Sequence, residues 1–324
     1  MPYRLLFFLL LAIVADSVFG MTQNKDLTGS RNDSLPEQYI YVLGIAQDAG
    51  YPQTGCKKSC CQRYWKGNQK MKSPVCLAIV DAETEEVWMI EASPDIKSQL
   101  QQLQAHLPFT MENPKGILLT HAHIGHYVGL TQIGREVMGL HKLPVFAMPR
   151  MSEFLRHNGP WSQLVTLENI ALQGLRADSI VYLNDNLHIT PFLVPHRDEY
   201  SETVGFRISG PDKEVVFIPD IDKWEKWDLS IIDLIAGTDY AFIDGTFYDG
   251  DELPNRNMAE IPHPFITESI AYFSKLNNQE KEKIHFIHFN HTNPLIWDEQ
   301  SRTFVRELGF NVAEENKVYP LSLK

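Results

Sequence analysis

The chain has 324 residues, of which 44% are hydrophobic and 22% charged, and a formal net charge of −12. That length holds one large domain or two ordinary ones, and the composition is that of a soluble globular protein rather than a disordered or fibrous one. The negative balance argues against nucleic acid as a partner, because an undirected phosphate backbone needs a basic surface.

The chain opens MPYRLLFFLLLAIVADSVFG: one Arg, an apolar run from Leu5 to Ala15, then small or moderate residues to Gly20. This is the pattern of a secretory signal peptide over residues 1–20. The run is short for a bilayer span, and no later segment reads as one. A secreted or periplasmic protein is expected, with an uncleaved N-terminal anchor as the alternative. Residues 21–37 are polar and read as a flexible lead-in. No repeat or Pro/Gly/Ser linker divides the rest of the chain, so a single domain is expected over 38–324.

Three of the four cysteines lie in TGCKKSCC: Cys56, Cys60 and Cys61. In an exported protein the default for paired cysteines is a disulfide, although adjacent Cys60 and Cys61 are poorly placed to pair with each other. A structural zinc held by these three and a further ligand is the rival, with a spacing unlike the usual zinc finger. Free thiols are the third reading. Cys76, in PVCLAIVD, reads as a buried structural thiol on a strand.

Short β-branched apolar runs then recur: 39–46, 75–81, 86–92, 116–121, 143–148, 178–183, 188–196, 203–208, 214–220, 241–245 and 283–289. They read as strands. Helical periodicity occupies 93–107, 126–140, 151–158 and 266–276. The interleaving predicts a layered α/β protein.

Polar residues able to bind metal stand where these apolar runs stop. Asp95 follows WMIEASP; His121, His123 and His126 follow GILL; His196 follows FLVP; Asp220 follows VVFIP; Asp244 follows YAFI; His288 lies in IHFIHFNH. Strand ends are rigid and open into loops, a good platform for a site. A single histidine would be unremarkable. H-x-H after a strand points two imidazoles at one ion, and histidines and aspartates on other segments can complete a zinc shell with a position left for water.

THAHIGH, residues 120–126, resembles the H-x-H-x-D-H motif of the metallo-β-lactamase superfamily. The pattern of Asp95, His196, Asp220 and His288 agrees with that family over nearly the whole mature chain. The resemblance implies a four-layer αββα sandwich with the site at one edge between the sheets. It implies that His121, His123 and His196 bind a first metal, that Asp220 bridges, and that His126 and His288 bind a second. Three further stretches, GIAQDAGYPQTGCKKSCC, DLIAGTDYAFIDGTFYDGDEL and HFIHFNHTNPL, resemble the pyrroloquinoline quinone biosynthesis protein B family and its phosphodiesterase-like relatives. That family generally lacks the first two histidines of the motif and keeps its Asp-His end; this chain does the reverse.

Gly125 stands where the motif has Asp, and glycine cannot ligate. One zinc, two metals with a substitute ligand, or an inactive site are the alternatives. The candidate substitutes are His291, Asp198, Asp222 and Asn290, with His291 first, three residues beyond His288. His263, in EIPHPFITES, matches by position a proton-donating histidine of the phosphodiesterase-like branch, which makes His263 and Asp220 the candidate catalytic residues; a capping or surface histidine is the plainer reading of His263. Asp244 is expected to orient a loop or ligand, and Asp95 to hydrogen-bond the histidine loop.

Two functions are compatible with these residues. The first is a hydrolase using zinc-activated water on a small-molecule ester or phosphodiester. The second is a non-hydrolytic metal-binding protein related to pyrroloquinoline quinone cofactor biosynthesis.

Overall fold

The early strands are buried at nearly every position, and their side chains alternate between two apolar clusters, one on each face of the sheet. A computed structural model describes residues 35–324 apart from residue 255. The signal-like segment 1–20 and most of the lead-in lie outside the described residues. Residues Pro36–Lys324 form one unit.

Among the described residues there are two seven-stranded sheets. The first runs, edge to edge, Val318–Pro320, Gln38–Gly44, Cys76–Asp81, Glu86–Ile90, Gly116–Leu118, Leu143–Ala147 and Ile170–Gly174. Its first three pairings are antiparallel and the rest parallel. The second runs Asn311–Val312, Ile284–Ile287, Tyr240–Asp244, Glu214–Ile218, Val204–Ser209, His188–Leu193 and Val181–Tyr182. Here the first three pairings are parallel and the rest antiparallel.

Side chains alternate along a strand. In the first sheet Ile40, Val42, Leu77, Ile79, Trp88 and Ile90 join Phe206, Phe217 and Phe242 of the second in one buried cluster. The residues between them, such as Tyr39, Tyr41, Ala78, Val80 and Met89, pack instead with Ile96 and Leu103 of the helix Ile96–His106. The second sheet is buried on both faces. Its outer side meets Ile231 and Ile235, Ile266, and Val305, from the helices Ile231–Ala236, Ile266–Tyr272 and Glu299–Glu307. Burying each such side chain is worth about 1.5–3 kcal/mol. The result is the expected four-layer αββα sandwich.

One expected helix is not there. Residues 126–140 form a short helix, Ile124–Tyr127, a 3-10 stretch, Val128–Ile133, and then turns. The reason lies at Gly129, where an added Cβ would fall 2.2 Å from the Ser93 carbonyl oxygen. The chain runs tight against residues 92–93 there, and Gly129 N donates to the Ala92 carbonyl.

The parallel registers assemble the polar strand ends. Ile218 faces Ile243, and Asp244 faces Ile287, so Asp220, Asp244 and His288 emerge side by side. In the other sheet Ile90 faces Leu118, which sets Glu91 beside Thr120 and His121.

Candidate metal centre

His121, His123, His196 and Asp220 present ligand atoms that all lie within 4.8 Å of one another. His121 Nε2 is 2.8 Å from His123 Nδ1 and 3.3 Å from Asp220 Oδ2. His196 Nε2 is 3.3 Å from His123 Nδ1 and 3.1 Å from Asp220 Oδ1. Beside them, His126 Nε2 is 4.0 Å from Asp220 Oδ2, and the His126 and His288 rings lie 5.2 Å apart. The two sheets thus deliver to one place the residues that the sequence scatters over more than 160 positions.

A second set of contacts aims these rings. Thr120 Oγ1 donates to Glu91 Oε1 and accepts from His121 Nδ1 at 2.9 Å, which leaves His121 Nε2 facing the centre. Thr246 Oγ1 donates to Asp244 Oδ1 and accepts from His288 Nδ1 at 2.9 Å, with the same effect. His126 Nδ1 lies 3.2 Å from Glu91, and His196 Nδ1 lies 3.3 Å from Asp222 Oδ1. Carboxylates and hydroxyls behind the imidazoles fix tautomer and orientation, the usual support for histidine ligands. Glu91, not Asp95, lies under the histidine loop; Asp95 occupies the start of the helix Ile96–His106.

Several inward atoms have no hydrogen-bond partner although they are buried: His126 Nε2, His288 Nε2, Asp220 Oδ1 and Asp48 Oδ1. Buried polar groups in a folded protein are normally paired. These approach one another yet aim at common points between them, so the donor set fits a divalent cation. Imidazole and carboxylate are suitable ligands for zinc.

The electrostatics agree. Burial by itself would raise the Asp220 carboxyl, but the charges of His196 and His263 outweigh it and hold the group well below its usual range. Burial opposes a charge on His196, yet Asp220 lifts it to about 9. His263 behaves alike: burial opposes its charge, while Asp244 and Asp220 lift it to about 10. Burial holds His121 and His288 well below the usual imidazole value, which keeps them neutral and able to ligate. The carboxylates thus draw positive charge into the centre.

His263 sits inside the group. Its Nδ1 is 2.8 Å from Asp244 Oδ2 and 3.1 Å from Asp220 Oδ1, and it is 5% exposed, so it is neither a surface residue nor a cap. Asp244 is fully occupied: Oδ1 accepts from Thr246 N and Oγ1, Oδ2 from Ile221 N and His263. An acidic cleft of about 520 Å³ opens beside His196, with Asp178, Asp198, Asp222, Lys226 and Trp227 in its wall.

None of the four candidate substitutes for the carboxylate at position 125 takes its place. His291 groups with Cys56, Cys60 and Cys61. Asp198 pairs with Arg150, Asp222 backs His196, and Asn290 bonds Thr292. Each is held by these partners rather than by His126. The residue that does lie there is Asp48, which forms a cluster with His126 and His288. An added Cβ on Gly125 would fall 2.3 Å from Asp48 Cα and 2.6 Å from its Oδ1. Its one trace in the sequence is an acidic residue in GIAQDAG that neither a strand nor a helix explains.

The cysteines form no disulfide. Cys56, Cys60, Cys61 and His291 bring three thiols and an imidazole within 4.8 Å of one another. Burial raises the Cys60 thiol, and raises Cys61 to about 12; a cation among them reverses this. Gln53 N donates to Cys61 Sγ at 3.3 Å. The set fits a closed structural zinc. Cys76 is fully buried, away from this group.

Known proteins share this architecture and about a quarter of the aligned sequence. The model of the Beta-lactamase superfamily domain matches residues 88–289. Coenzyme PQQ synthesis protein B of Methylorubrum extorquens is 25% identical over 300 residues, covering 86% of this chain and 98% of that protein. The structure of Zn(2+)-bound PqqB from Methylobacterium extorquens superposes with a TM-score of 0.73 at 24% identity, covering 87% of this chain and 100% of that one. A diphosphatase from the PhnP family superposes with a TM-score of 0.60 at 18% identity, covering 87% and 96%.

Proposed function

The chain belongs to the beta-lactamase superfamily, and from that premise we propose that it is a zinc-dependent hydrolase acting on a small phosphodiester or ester. The observation that carries this reading is the convergence of His121, His123, His196 and Asp220 within 4.8 Å, each histidine but His123 backed at its Nδ1. Bound there, zinc acidifies water and polarises a phosphoryl or carbonyl oxygen. His121 would hold a neutral Nε2 toward the ion, His123 Nδ1 and His196 Nε2 would complete the imidazole set once the ion displaces the proton that Asp220 keeps on His196, and Asp220 supplies the anion between them. His263 holds a proton beside Asp220, with Asp244 fixing its ring, and gives that proton to the leaving oxygen. The acidic cleft and the net charge of −12 disfavour polyanions, so a singly charged diester or a neutral ester suits the site better than nucleic acid. The signal-like residues 1–20 make an exported protein part of the same proposal. Cys56, Cys60, Cys61 and His291 hold a separate, structural zinc in this reading.

A second reading, a non-hydrolytic protein linked to pyrroloquinoline quinone biosynthesis, is favoured by the end-to-end similarity to Coenzyme PQQ synthesis protein B. Elemental analysis, with turnover of bis-p-nitrophenyl phosphate and simple lactones, separates the two. The first reading expects bound zinc, and turnover that disappears in His121→Ala. Absence of turnover across the panel, with tight binding of a quinone-like ligand, selects the second.

A further inference from the structure

We propose that Asp48 replaces the carboxylate missing at position 125 and, with His126, His288 and Asp220, builds a second metal position in the same centre. The inference rests on the hydrolase reading of the first position and extends it.

Three observations carry it. First, the ligand atoms of Asp48, His126 and His288 lie within 4.8 Å of one another. Asp48 Oδ1 is 3.8 Å from His126 Nε2, too far for a hydrogen bond and suited to a shared ion. Second, Asp48 Oδ1, His126 Nε2 and His288 Nε2 are all buried without a partner, although both histidines are fully buried residues. On the far side of each ring, His288 Nδ1 donates to Thr246, and His126 Nδ1, itself without a hydrogen bond, lies 3.2 Å from Glu91 Oε1. Asp244, the other carboxylate near His288, has both oxygens committed, so Asp48 is the free one.

Third, the glycine is what lets Asp48 in. The 45–50 loop is pinned to the strand end that carries His288: Phe289 N donates to the Ile45 carbonyl, and Gln47 N to the Phe289 carbonyl. That path carries Asp48 Cα over residue 125 so closely that any side chain there would collide with it. Gly125 is therefore the opening through which a carboxylate enters from another segment.

The source of the ligand sets its strength. The Asp48 side chain is 38% exposed, whereas Asp220 is 3% exposed. A carboxylate on a solvent-bordering loop holds its ion less firmly than one fixed at a buried strand end. The second ion is the weaker of the two.

The test uses the full chain and Mn2+ alone, a metal that prefers oxygen and imidazole to the thiolates of the cysteine group. Titration is followed by electron paramagnetic resonance, in which two ions sharing Asp220 give an exchange-coupled spectrum and a lone ion does not. The coupled spectrum is expected in the unaltered protein. In Asp48→Ala and Asp48→Asn it disappears, the second binding step weakens by roughly 100-fold or more, and the first stays within a few-fold. Asp48→Glu, which retains a carboxylate, recovers part of the coupling. Unchanged melting of the variants shows that the fold is kept. A coupled pair that persists unaltered in Asp48→Ala overturns the proposal. So does a single Mn2+ in the unaltered protein that His121→Ala removes, and this leaves the hydrolase reading standing. No binding at all that His121→Ala can alter overturns both.

Discussion

Glu91 and His288 are fully buried and have φ angles of 80° and 67°. A residue with a side chain costs about 1–2 kcal/mol in that left-handed region. Both sit at strand ends beside the candidate metal, and the neighbouring hydrogen bonds hold them there, so strain lies where geometry matters most. Thr246 is the hinge of this support, giving its proton to Asp244 and taking one from His288. In Thr246→Val, His288 loses the acceptor that sets its tautomer, and metal affinity should fall by roughly 10–100-fold while the melting curve changes little; competition with a chromogenic chelator measures it. Single residues of the motif were readable in the sequence because His and Asp stood directly after apolar runs. Asp48 and Glu91 were not. The first lies in a turn whose partner histidines, His126 and His288, are distant in the chain, and the second lies inside a run read as a strand.

At the scale of elements, the strands were legible because their apolar runs are short and rich in β-branched and aromatic residues, which favours strand over helix. The segment 126–140 misled because its apolar spacing is helical while its backbone path is set by contact with residues 92–93, which no local pattern encodes. Gly129→Ala tests that account. The added methyl meets the Ser93 and Ala92 carbonyl oxygens at 2.2 and 2.8 Å, and neither can move without shifting a strand end. Urea unfolding should show a loss of about 1–3 kcal/mol. Binding at His126 should weaken too, because the His126 carbonyl accepts from Ala92 N on the same contact.

For the whole molecule, the candidate ligands come from both sheets, so an ion bound among them would join the two halves of the sandwich. One buried histidine plays no part in this. His285 lies among Tyr240, Phe242 and Tyr319, and burial lowers it from 6.5 to about 4. The folded protein keeps it neutral where the unfolded chain takes up a proton, so unfolding binds protons between those values. Stability is undiminished above pH 6.5 and declines as the pH falls from 6.5 to about 4, by at most about 3 kcal/mol. Urea midpoints at several pH values should show this decline in the unaltered protein and a smaller one in His285→Phe. The layered fold was legible from strand order and spacing, whereas the meeting of Cys56, Cys60 and Cys61 with His291 was not, since it depends on how two distant loops dock.

The close approach of Asp48 to Gly125 also constrains how such a centre can arise. A side chain at 125 and the present path of residues 47–50 cannot coexist. A lineage exchanging one carboxylate for the other therefore cannot hold both at once: position 125 must become glycine before the loop settles, and the centre passes through a stage with neither. Related sequences should accordingly fall into two exclusive groups, acidic at 125 or acidic at 48 with glycine at 125, and a motif search scoring only the first would misfile the second as degenerate.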